Sequence, residues 1–209
     1  MRIAIIDYGL GNLRSVDKAF AHLGADAKLT ESPADVAEAA ALVLPGVGAF
    51  GDGMAGLQQR GLDTALKNAH NLGKPILGIC LGLQLFFENS EESPGAVGLG
   101  VLKGSVKKFQ GAPYTGPSAL KVPHMGWNTL SFKGAHPLFE GLKNGDYVYF
   151  VHSYYVAPTN PEWTLAESEY GMNFCAAAGT GKLMGCQFHP EKSQQVGLSI
   201  LKNFLKIVG

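Results

Sequence analysis

The sequence predicts an α/β fold: a single domain with a central, mostly parallel sheet, helices on both faces, and an antiparallel or mixed extension of the sheet. Three observations lead to this prediction. Up to about Ser90, short apolar runs alternate with segments of helical periodicity. Beyond that point, strand-like segments are joined by Gly, Pro and Asn turns. Finally, one apolar run ends in Gly-Ile-Cys-Leu-Gly and passes directly into a helical pattern.

The first half of the chain carries the predicted parallel sheet. Its strand-like runs are Ile3–Ile6, Leu42–Leu44 and Ile76–Ile79. Between them, the apolar residues 16, 19, 20 and 23 form one face of a helix, and residues 51–71 form helix broken near Gly61. Parallel strands that alternate with helices place functional sites at the carboxyl ends of the strands.

The second half carries the predicted extension and a closing helix. The strand-like segments lie at residues 101–109, 147–156, 163–169 and 183–188. The apolar residues 196, 200, 201, 204, 205 and 208 then have the spacing of an amphipathic helix. No linker-like or repetitive tract interrupts the chain, so one domain over residues 1–209 is expected.

The composition is that of a compact soluble enzyme, with 46% apolar and 16% charged residues, no net charge and a mean hydropathy of +0.07. Charge neutrality gives no electrostatic reason to expect nucleic acid or an anionic membrane as a partner. No apolar run is long enough to span a bilayer, and the first residues read as a strand rather than a signal peptide. The three cysteines do not have disulfide or zinc spacing, and a cytoplasmic location is expected.

The segment 74–87, KPILGICLGLQLFF, has the layout of a nucleophile elbow with cysteine at its tip. In an elbow the turn from strand to helix is sharp, and Gly78 and Gly82 leave room for it. Cys80 would then face the amino end of the helix, where free N–H groups favour a thiolate. We therefore expect Cys80 to be a nucleophile at the carboxyl edge of the sheet.

A base for this thiol is predicted in GCQFHPE, residues 185–191. A strand-like run ends at His189, Pro190 stiffens the turn, and Glu191 can reach back to the imidazole and fix its tautomer. Taken alone, His-Pro-Glu is slightly more often a turn with a surface carboxylate. Together with an elbow cysteine in an α/β chain, it predicts a Cys–His–Glu triad.

Donors for an oxyanion are predicted in the glycine-rich segment LPGVGAFG, residues 44–51, which follows a buried strand. Its glycines allow backbone N–H groups to approach a reacting carbonyl, and the N–H of Leu81 would be a second donor. The segment matches neither common phosphate-loop pattern.

These motifs together resemble the class I (triad) glutamine amidotransferases, which hydrolyse glutamine through a cysteine thioester. The residues that carry the resemblance are GICLGLQ at 78–84 and QFHPE at 187–191. Further segments, over essentially the whole chain, are similar to one branch of that family, the glutaminase subunits of histidine biosynthesis. They are DYGLGNLRS at 7–15, LPGVGAFG at 44–51, VPHMGWN at 122–128, FVHSYY at 150–155 and HPEKS at 189–193.

The resemblance implies a role for each matching residue in glutamine hydrolysis. Cys80 is the nucleophile, His189 the general base and acid, and Glu191 the orienting carboxylate. Val47 and Gly48 belong to the oxyanion hole, which a peptide flip completes with the N–H of Leu81. The residues expected to hold substrate glutamine are Gln84, Ser153 and Tyr154.

The resemblance also implies a partner, a (β/α)₈-barrel cyclase that forms a heterodimer with the glutaminase. Ammonia passes to the cyclase, which converts the phosphoribulosyl-formimino intermediate PRFAR to imidazole glycerol phosphate and AICAR. The residues expected at this interface are Asn12, Trp127, Tyr149 and Lys192. The chemistry needs no cofactor, and the other histidines lack the spacing of metal ligands, so neither a cofactor nor a metal is expected.

Other interpretations of the same residues remain open at this level. Gln84 could be an ordinary polar group on a core helix, Trp127 a core aromatic and Lys192 a solvated side chain. The chain could serve another synthase, such as those for anthranilate, pyridoxal phosphate or guanylate, although the 122–128 motif argues against it. It could also be a thiol hydrolase or a non-catalytic binding subunit; the intact triad argues against the latter. Cys175 and Cys186 read as inert buried thiols.

Overall fold

The computed structural model describes residues 2–209; Met1, with which the predicted domain begins, lies outside the described residues. Five strands form the parallel half of the main sheet: β1 Ile3–Ile6, β2 Ala27–Thr30, β3 Ala41–Gly46, β4 Ile76–Cys80 and β13 Leu183–Cys186. They lie side by side in the order β2-β1-β3-β4-β13. The three central strands β1, β3 and β4 are buried along their whole length, as expected for a parallel sheet covered on both sides.

Helices cover both faces of this half, which gives the core two layers. Within residues 2–209 the α-helices are α1 Leu13–His22, α2 Pro33–Glu38, α3 Phe50–Gln59, α4 Leu62–Asn71, α5 Leu81–Gln84 and α6 Gln194–Val208. On one face Phe20 of α1 packs with Phe204 of α6, and on the other Met54 of α3 packs with Leu66 of α4. Among the described residues, no helix is long and apolar enough to cross a membrane.

The main sheet continues beyond β13 through strands that pair in antiparallel register, except for the last pair, which is parallel. The strands of this region are β5 Asn89–Ser90, β6 Gly104–Lys108, β8 Ser131–Phe132, β10 Tyr154–Pro158, β11 Thr164–Glu169 and β12 Asn173–Thr180. From β13 the order is β12-β10-β6-β5, and β11 joins β12 to β8. A separate two-stranded sheet pairs β7 (His124–Thr129) with β9 (Tyr147–His152) in antiparallel register.

The predicted fold class is confirmed, and most of the predicted elements are present. The break near Gly61 separates α3 from α4, where the glycine adopts a left-handed φ of 67°. Two local expectations were wrong: the predicted strand 147–156 is two strands separated at Ser153, and the helix after Cys80 is only four residues long. In addition, the segment around Trp127 forms strand β7, which was not among the predicted strands.

Two features explain these differences. Gly126 within β7 has a φ of 133°, and Pro123 immediately precedes the strand, which made the segment resemble a turn. The apolar residues 85–87 after the elbow continue a helical pattern in sequence, but their side chains are buried outside a regular helix. Burial, rather than helical periodicity, accounts for their apolar character.

Candidate active site

Cys80 is the last residue of β4 and lies at the carboxyl edge of the sheet in a strained conformation. Its φ of 54° and ψ of −107° are unusual for a residue with a side chain and cost on the order of 1–3 kcal/mol. Close packing holds this turn on both sides. A Cβ at Gly82 would overlap the carbonyl of Leu44 in β3, and one at Gly78 would lie 2.7 Å from the Phe86 ring. The elbow predicted from the sequence is therefore present, with a shorter helix behind it.

His189 and Glu191 form a buried pair on the turn that follows β13. His189 Nδ1 lies 2.8 Å from Glu191 Oε1, and both side chains are almost fully buried. Because a carboxylate can only accept, Nδ1 carries the proton and Nε2 is directed away from Glu191. The backbone of His189 is held as well: its N–H donates to the Tyr149 carbonyl, and its carbonyl accepts from the Ser193 hydroxyl.

The pKa of His189 reflects opposing effects. Burial lowers the pKa, but interactions with Cys80 and then Glu191 outweigh it and raise the pKa of His189 to about 10. His189 Nε2 has no hydrogen-bond partner among residues 2–209. The Cys80 sulfur is thus near enough to influence the imidazole but is not in hydrogen-bonding geometry with Nε2.

Cys80 opens onto a cleft of about 470 Å³. The other lining residues are Val47, Gly48, Leu81, Gln84, Glu92, Pro123, Val151, His152, Ser153 and Tyr154. The structure thus brings together Cys80 and all six residues predicted for the oxyanion hole and the substrate. The cleft is large enough for an amino-acid side chain and its backbone.

A hydrogen-bond network connects the far side of the cleft to Cys80. The Gln84 amide donates to the Tyr154 carbonyl (3.2 Å) and to Gln187 Oε1 (3.1 Å). Gln187 Nε2 in turn lies 3.6 Å from Cys80 Sγ. Sequence reasoning gave Gln187 no role, although it lies inside the quoted motif QFHPE. The sequence did contain a signal for it, because Gln187 is a polar residue within the otherwise apolar strand-like run 183–188.

Glu92 is a second residue that sequence reasoning missed. Its Oε2 accepts from the backbone N–H of Phe50 at 2.8 Å, and Ser93 Oγ accepts from the N–H of Gly51 at 3.0 Å. The segment 92–93 therefore caps the amino end of α3 and fixes the turn that carries Val47. No local pattern predicts this contact, because the partners are 42 residues apart.

The turn predicted to contribute oxyanion donors lies beside Cys80. Gly46, the last residue of β3, is in register with Cys80, and Gly48 has a φ of 115° that favours glycine. The hydroxyl of Tyr8 lies directly against Gly46 and has no hydrogen-bond partner among the described residues. Burial, and to a smaller extent Cys80, raises the pKa of Tyr8, so this phenol is neutral.

Three of the four predicted interface residues lie together outside the cleft. Trp127 is 46% exposed and is paired with Tyr149 across strands β7 and β9, with the two ring centroids 6.1 Å apart. Lys192 Nζ lies 5.9 Å from the centroid of the Tyr149 ring. Met125, which is exposed on β7, adds apolar surface beside Trp127. Asn12 precedes α1, the helix that packs against the turn 190–192.

The remaining thiols and histidines form no candidate metal centre. In the part of the chain that the structure describes, residues 2–209, no group of three or more His, Cys, Asp or Glu could hold a metal ion. Cys175 and Cys186 are buried, and burial raises the pKa of Cys175 to about 12 and that of Cys186 well above its ordinary value. Both thiols are therefore protonated at neutral pH.

Comparison with known proteins identifies the family. The model for the glutamine amidotransferase class-I family matches residues 4–208. The chain is 52% identical over 202 residues to the imidazole glycerol phosphate synthase subunit HisH of Syntrophotalea carbinolica, covering 97% of this chain and 98% of that protein. The chain belongs to the HisH branch of the class I glutamine amidotransferases. A HisH subunit from Moorella thermoacetica is 48% identical, with 99% of this chain and 95% of that protein covered.

Solved structures support the fold of this HisH-family chain. A crystal structure of a glutamine amidotransferase superposes with a TM-score of 0.75 at 19% identity, covering 99% of this chain and 98% of the other. The structure of PurLQS from Thermotoga maritima gives 0.76 at 17% identity, covering 100% and 99%. The predicted family, fold and enzyme class are thereby confirmed. The roles of individual residues stay predictions, which the geometry above makes specific.

Proposed function

We propose that this chain is the glutaminase subunit of imidazole glycerol phosphate synthase and hydrolyses L-glutamine to glutamate and ammonia. One observation carries the proposal: Cys80, on a strained elbow, shares a cleft with Gln84 and Tyr154 and interacts with His189, whose Nδ1 is held by Glu191. The HisH relatives, about half identical over nearly the full chain, support the assignment to this synthase. We propose that the whole of residues 1–209 forms the amidotransferase domain.

The chemistry follows from the charges in the cleft. The Cys80 sulfur, its proton transferred to His189, attacks the δ-carbonyl carbon of glutamine and forms a C–S bond. The resulting oxyanion accepts from backbone N–H groups of the 47–48 turn and of Leu81. The C–N bond then breaks as His189 returns its proton to the leaving nitrogen, which departs as ammonia. Water, deprotonated by the same imidazole, hydrolyses the thioester to glutamate and regenerates the thiol. No step uses a cofactor.

The other end of the substrate is bound on the opposite side of the cleft. The backbone of Ser153 and Tyr154 and the side chain of Gln84 offer donors and acceptors for the α-amino and α-carboxylate groups. Glu92 adds a carboxylate at the same cleft, and we assign it to the α-ammonium group because the two charges are opposite and can form a charge-assisted hydrogen bond. Together these contacts place the δ-carbonyl at the elbow.

The partner is the cyclase subunit, a (β/α)₈ barrel that we expect to form a heterodimer with this chain in the cytoplasm. The exposed aromatic face with Trp127, Tyr149 and neighbouring Lys192, together with Asn12, is the proposed contact surface. An exposed tryptophan beside a second aromatic ring is typical of the centre of a protein interface. The cyclase uses the ammonia to convert PRFAR to imidazole glycerol phosphate and AICAR.

Glutamine hydrolysis is expected to be slow without the cyclase and its bound substrate. His189 Nε2 is not hydrogen-bonded to Cys80, and the 47–48 turn can supply its donor only in one orientation of the peptide. Losing one oxyanion donor costs about a hundred- to a thousandfold in rate. Equal glutaminase rates with and without the cyclase would contradict this part of the proposal.

Two measurements test the function. The chain should co-purify with the cyclase and support formation of imidazole glycerol phosphate that depends on glutamine; absence of both would overturn the assignment. A glutamine-analogue electrophile should alkylate the chain, and Cys80→Ala should abolish the labelling. Cys175→Ala is the matched control, because it removes a buried thiol outside the cleft and should leave the labelling intact.

A further inference from the structure

Three side chains inside the molecule form a continuous row of hydrogen bonds that ends at the glutamine cleft. Asn128 Nδ2 lies 3.3 Å from His124 Nε2, His124 Nδ1 lies 3.1 Å from His152 Nε2, and His152 Nδ1 lies 2.8 Å from the Tyr154 carbonyl oxygen. His124 and His152 face each other across β7–β9. The mechanism above uses none of these three side chains.

The ends of the row fix the direction of every bond in it. The Tyr154 carbonyl can only accept, so His152 carries its proton on Nδ1 and accepts at Nε2. His124 must then donate from Nδ1 and accept at Nε2. Asn128 supplies that donor, and its orientation is fixed independently: its Oδ1 accepts from the N–H of Thr129, and its Nδ2 also donates to the Glu169 carbonyl.

The environment keeps both histidines neutral, as this direction requires. His124 and His152 are 3% and 6% exposed, and His124 stacks on Tyr170 and Phe150 with ring centroids 4.1 and 4.8 Å apart. Burial lowers the pKa of His152 to about 3 and that of His124 to about 4. Each ring therefore offers one donor and one acceptor at neutral pH.

The row ends where the substrate is expected to bind. The Tyr154 carbonyl accepts from His152 and also from Gln84, and Ser153 beside it interrupts the two strands that flank the cleft. At its other end the row lies on β7, whose opposite face carries exposed Met125 and Trp127. A single strand thus joins the proposed partner surface to the first side chains of the row.

We propose that Asn128, His124 and His152 are positioning residues that hold the Ser153–Tyr154 backbone in the conformation that binds glutamine. The proposal rests on the function proposed above, because it assumes that this backbone receives the substrate. A directed row of bonds positions a carbonyl more narrowly than apolar packing does, since reversing one bond leaves a buried donor or acceptor unpaired. The neutral Nδ1–H form of both histidines is the signature of the row.

The tautomers give a test that does not depend on activity. Nitrogen-15 NMR of histidine-labelled protein should show His124 and His152 both neutral and protonated on Nδ1 at pH 7. A free neutral imidazole side chain favours the tautomer protonated on Nε2. Packing alone would therefore not be expected to give the Nδ1–H tautomer at both histidines. An Nε2–H form at either residue would overturn the row.

Kinetics with purified variants test the positioning role. His124→Phe keeps an aromatic ring in the stack but leaves His152 Nε2 without a donor, and the KM for glutamine should rise about five- to tenfold with kcat within about twofold. His124→Asn returns an amide donor near the position of Nδ1 and should recover part of that loss. His136→Phe is the matched control, because it removes a partly buried histidine whose ring accepts from the N–H of Leu138, away from the cleft.

The outcomes separate this proposal from the function on which it rests. An active wild-type chain whose KM is unchanged by His124→Phe would overturn the positioning role and leave the glutaminase assignment standing. A fall in melting temperature with unchanged KM, as expected for His136→Phe, would show that His124 serves stability only. A wild-type complex that does not hydrolyse glutamine would overturn both.

Discussion

The most direct test of the elbow geometry is to add one methyl group at Gly82. A Cβ built on this buried glycine would overlap the carbonyl oxygen of Leu44. The backbone fixes the position of the Cβ, and the carbonyl is itself backbone, so no side-chain rotation relieves the clash. Overpacking in a core costs about 1–3 kcal/mol, and we take the upper end, about 3 kcal/mol. For a chain of this size each kcal/mol lowers the melting temperature by about 2–4 °C, so Gly82→Ala should lower it by about 6–12 °C.

The same substitution should impair catalysis, because α5 can escape the clash only by moving away from β3. That movement shifts Cys80 relative to the turn at Val47, and a displacement of about 1 Å costs about a hundredfold in rate. Calorimetry and a coupled glutamate assay of the complex measure the two effects. Gly134→Ala is the matched control: its Cβ meets open space, and the melting temperature should change by no more than about 2 °C. If both variants behave alike, the close approach of elbow and strand β3 is not what holds Cys80.

Three further predictions follow from the charges and the exposed surface. Because the pKa of His189 is raised, its ion pair with Glu191 stabilises the fold fully below about pH 6.5 and loses that effect as the pH rises towards 10. In denaturant titrations, Glu191→Gln should therefore reduce the free energy of unfolding more at pH 6 than at pH 10. An equal loss at both pH values would contradict the pairing. The pKa of His152 is lowered to about 3, so below about pH 6.5 the unfolded chain binds a proton that the folded chain does not, and acid favours unfolding. His152→Phe should therefore reduce the slope of the unfolding free energy against pH, between pH 6 and pH 4, by about 1.4 kcal/mol per pH unit. An unchanged slope would show that the imidazole of the folded protein is protonated in this range. Trp127→Ala should weaken binding to the cyclase by about thirtyfold in calorimetric titration. Leu72→Ala, which truncates another exposed apolar side chain, should leave the affinity unchanged. Equal effects of the two substitutions would place the contact surface elsewhere.

The parallel half of the fold could be predicted because its signals are local. The run Ile3–Ile6 is a strand with those bounds, and the break at Gly61 falls between α3 and α4. Strand β2 was missed, because its pattern of buried and exposed residues is that of an edge strand without a continuous apolar run. The strand β7 was missed because glycine and proline obscure a two-residue alternation that is visible only once β9 is paired with it.

The candidate site was predictable where its residues depend on short spacing. Glu191 lies two residues after His189, and the turn between them is enough to bring carboxylate and imidazole to 2.8 Å. Gln84 is likewise placed by the helix that starts at the elbow. Gln187 and Glu92 were given no role, because their partners lie 107 and 42 residues away and a sequence pattern does not contain such contacts.

The order of residue types along the chain was thus enough to indicate a cysteine nucleophile, its histidine and carboxylate, and the family to which they belong. The tertiary structure decided what surrounds them: the cleft, the contact of Glu92 with the amino end of α3, and the row from Asn128 to the Tyr154 carbonyl. The physical reason is that elbows and short turns are set by neighbouring residues, whereas these contacts depend on the order in which distant strands pair. Only the paired strands β7 and β9 bring His124 within 3.1 Å of His152.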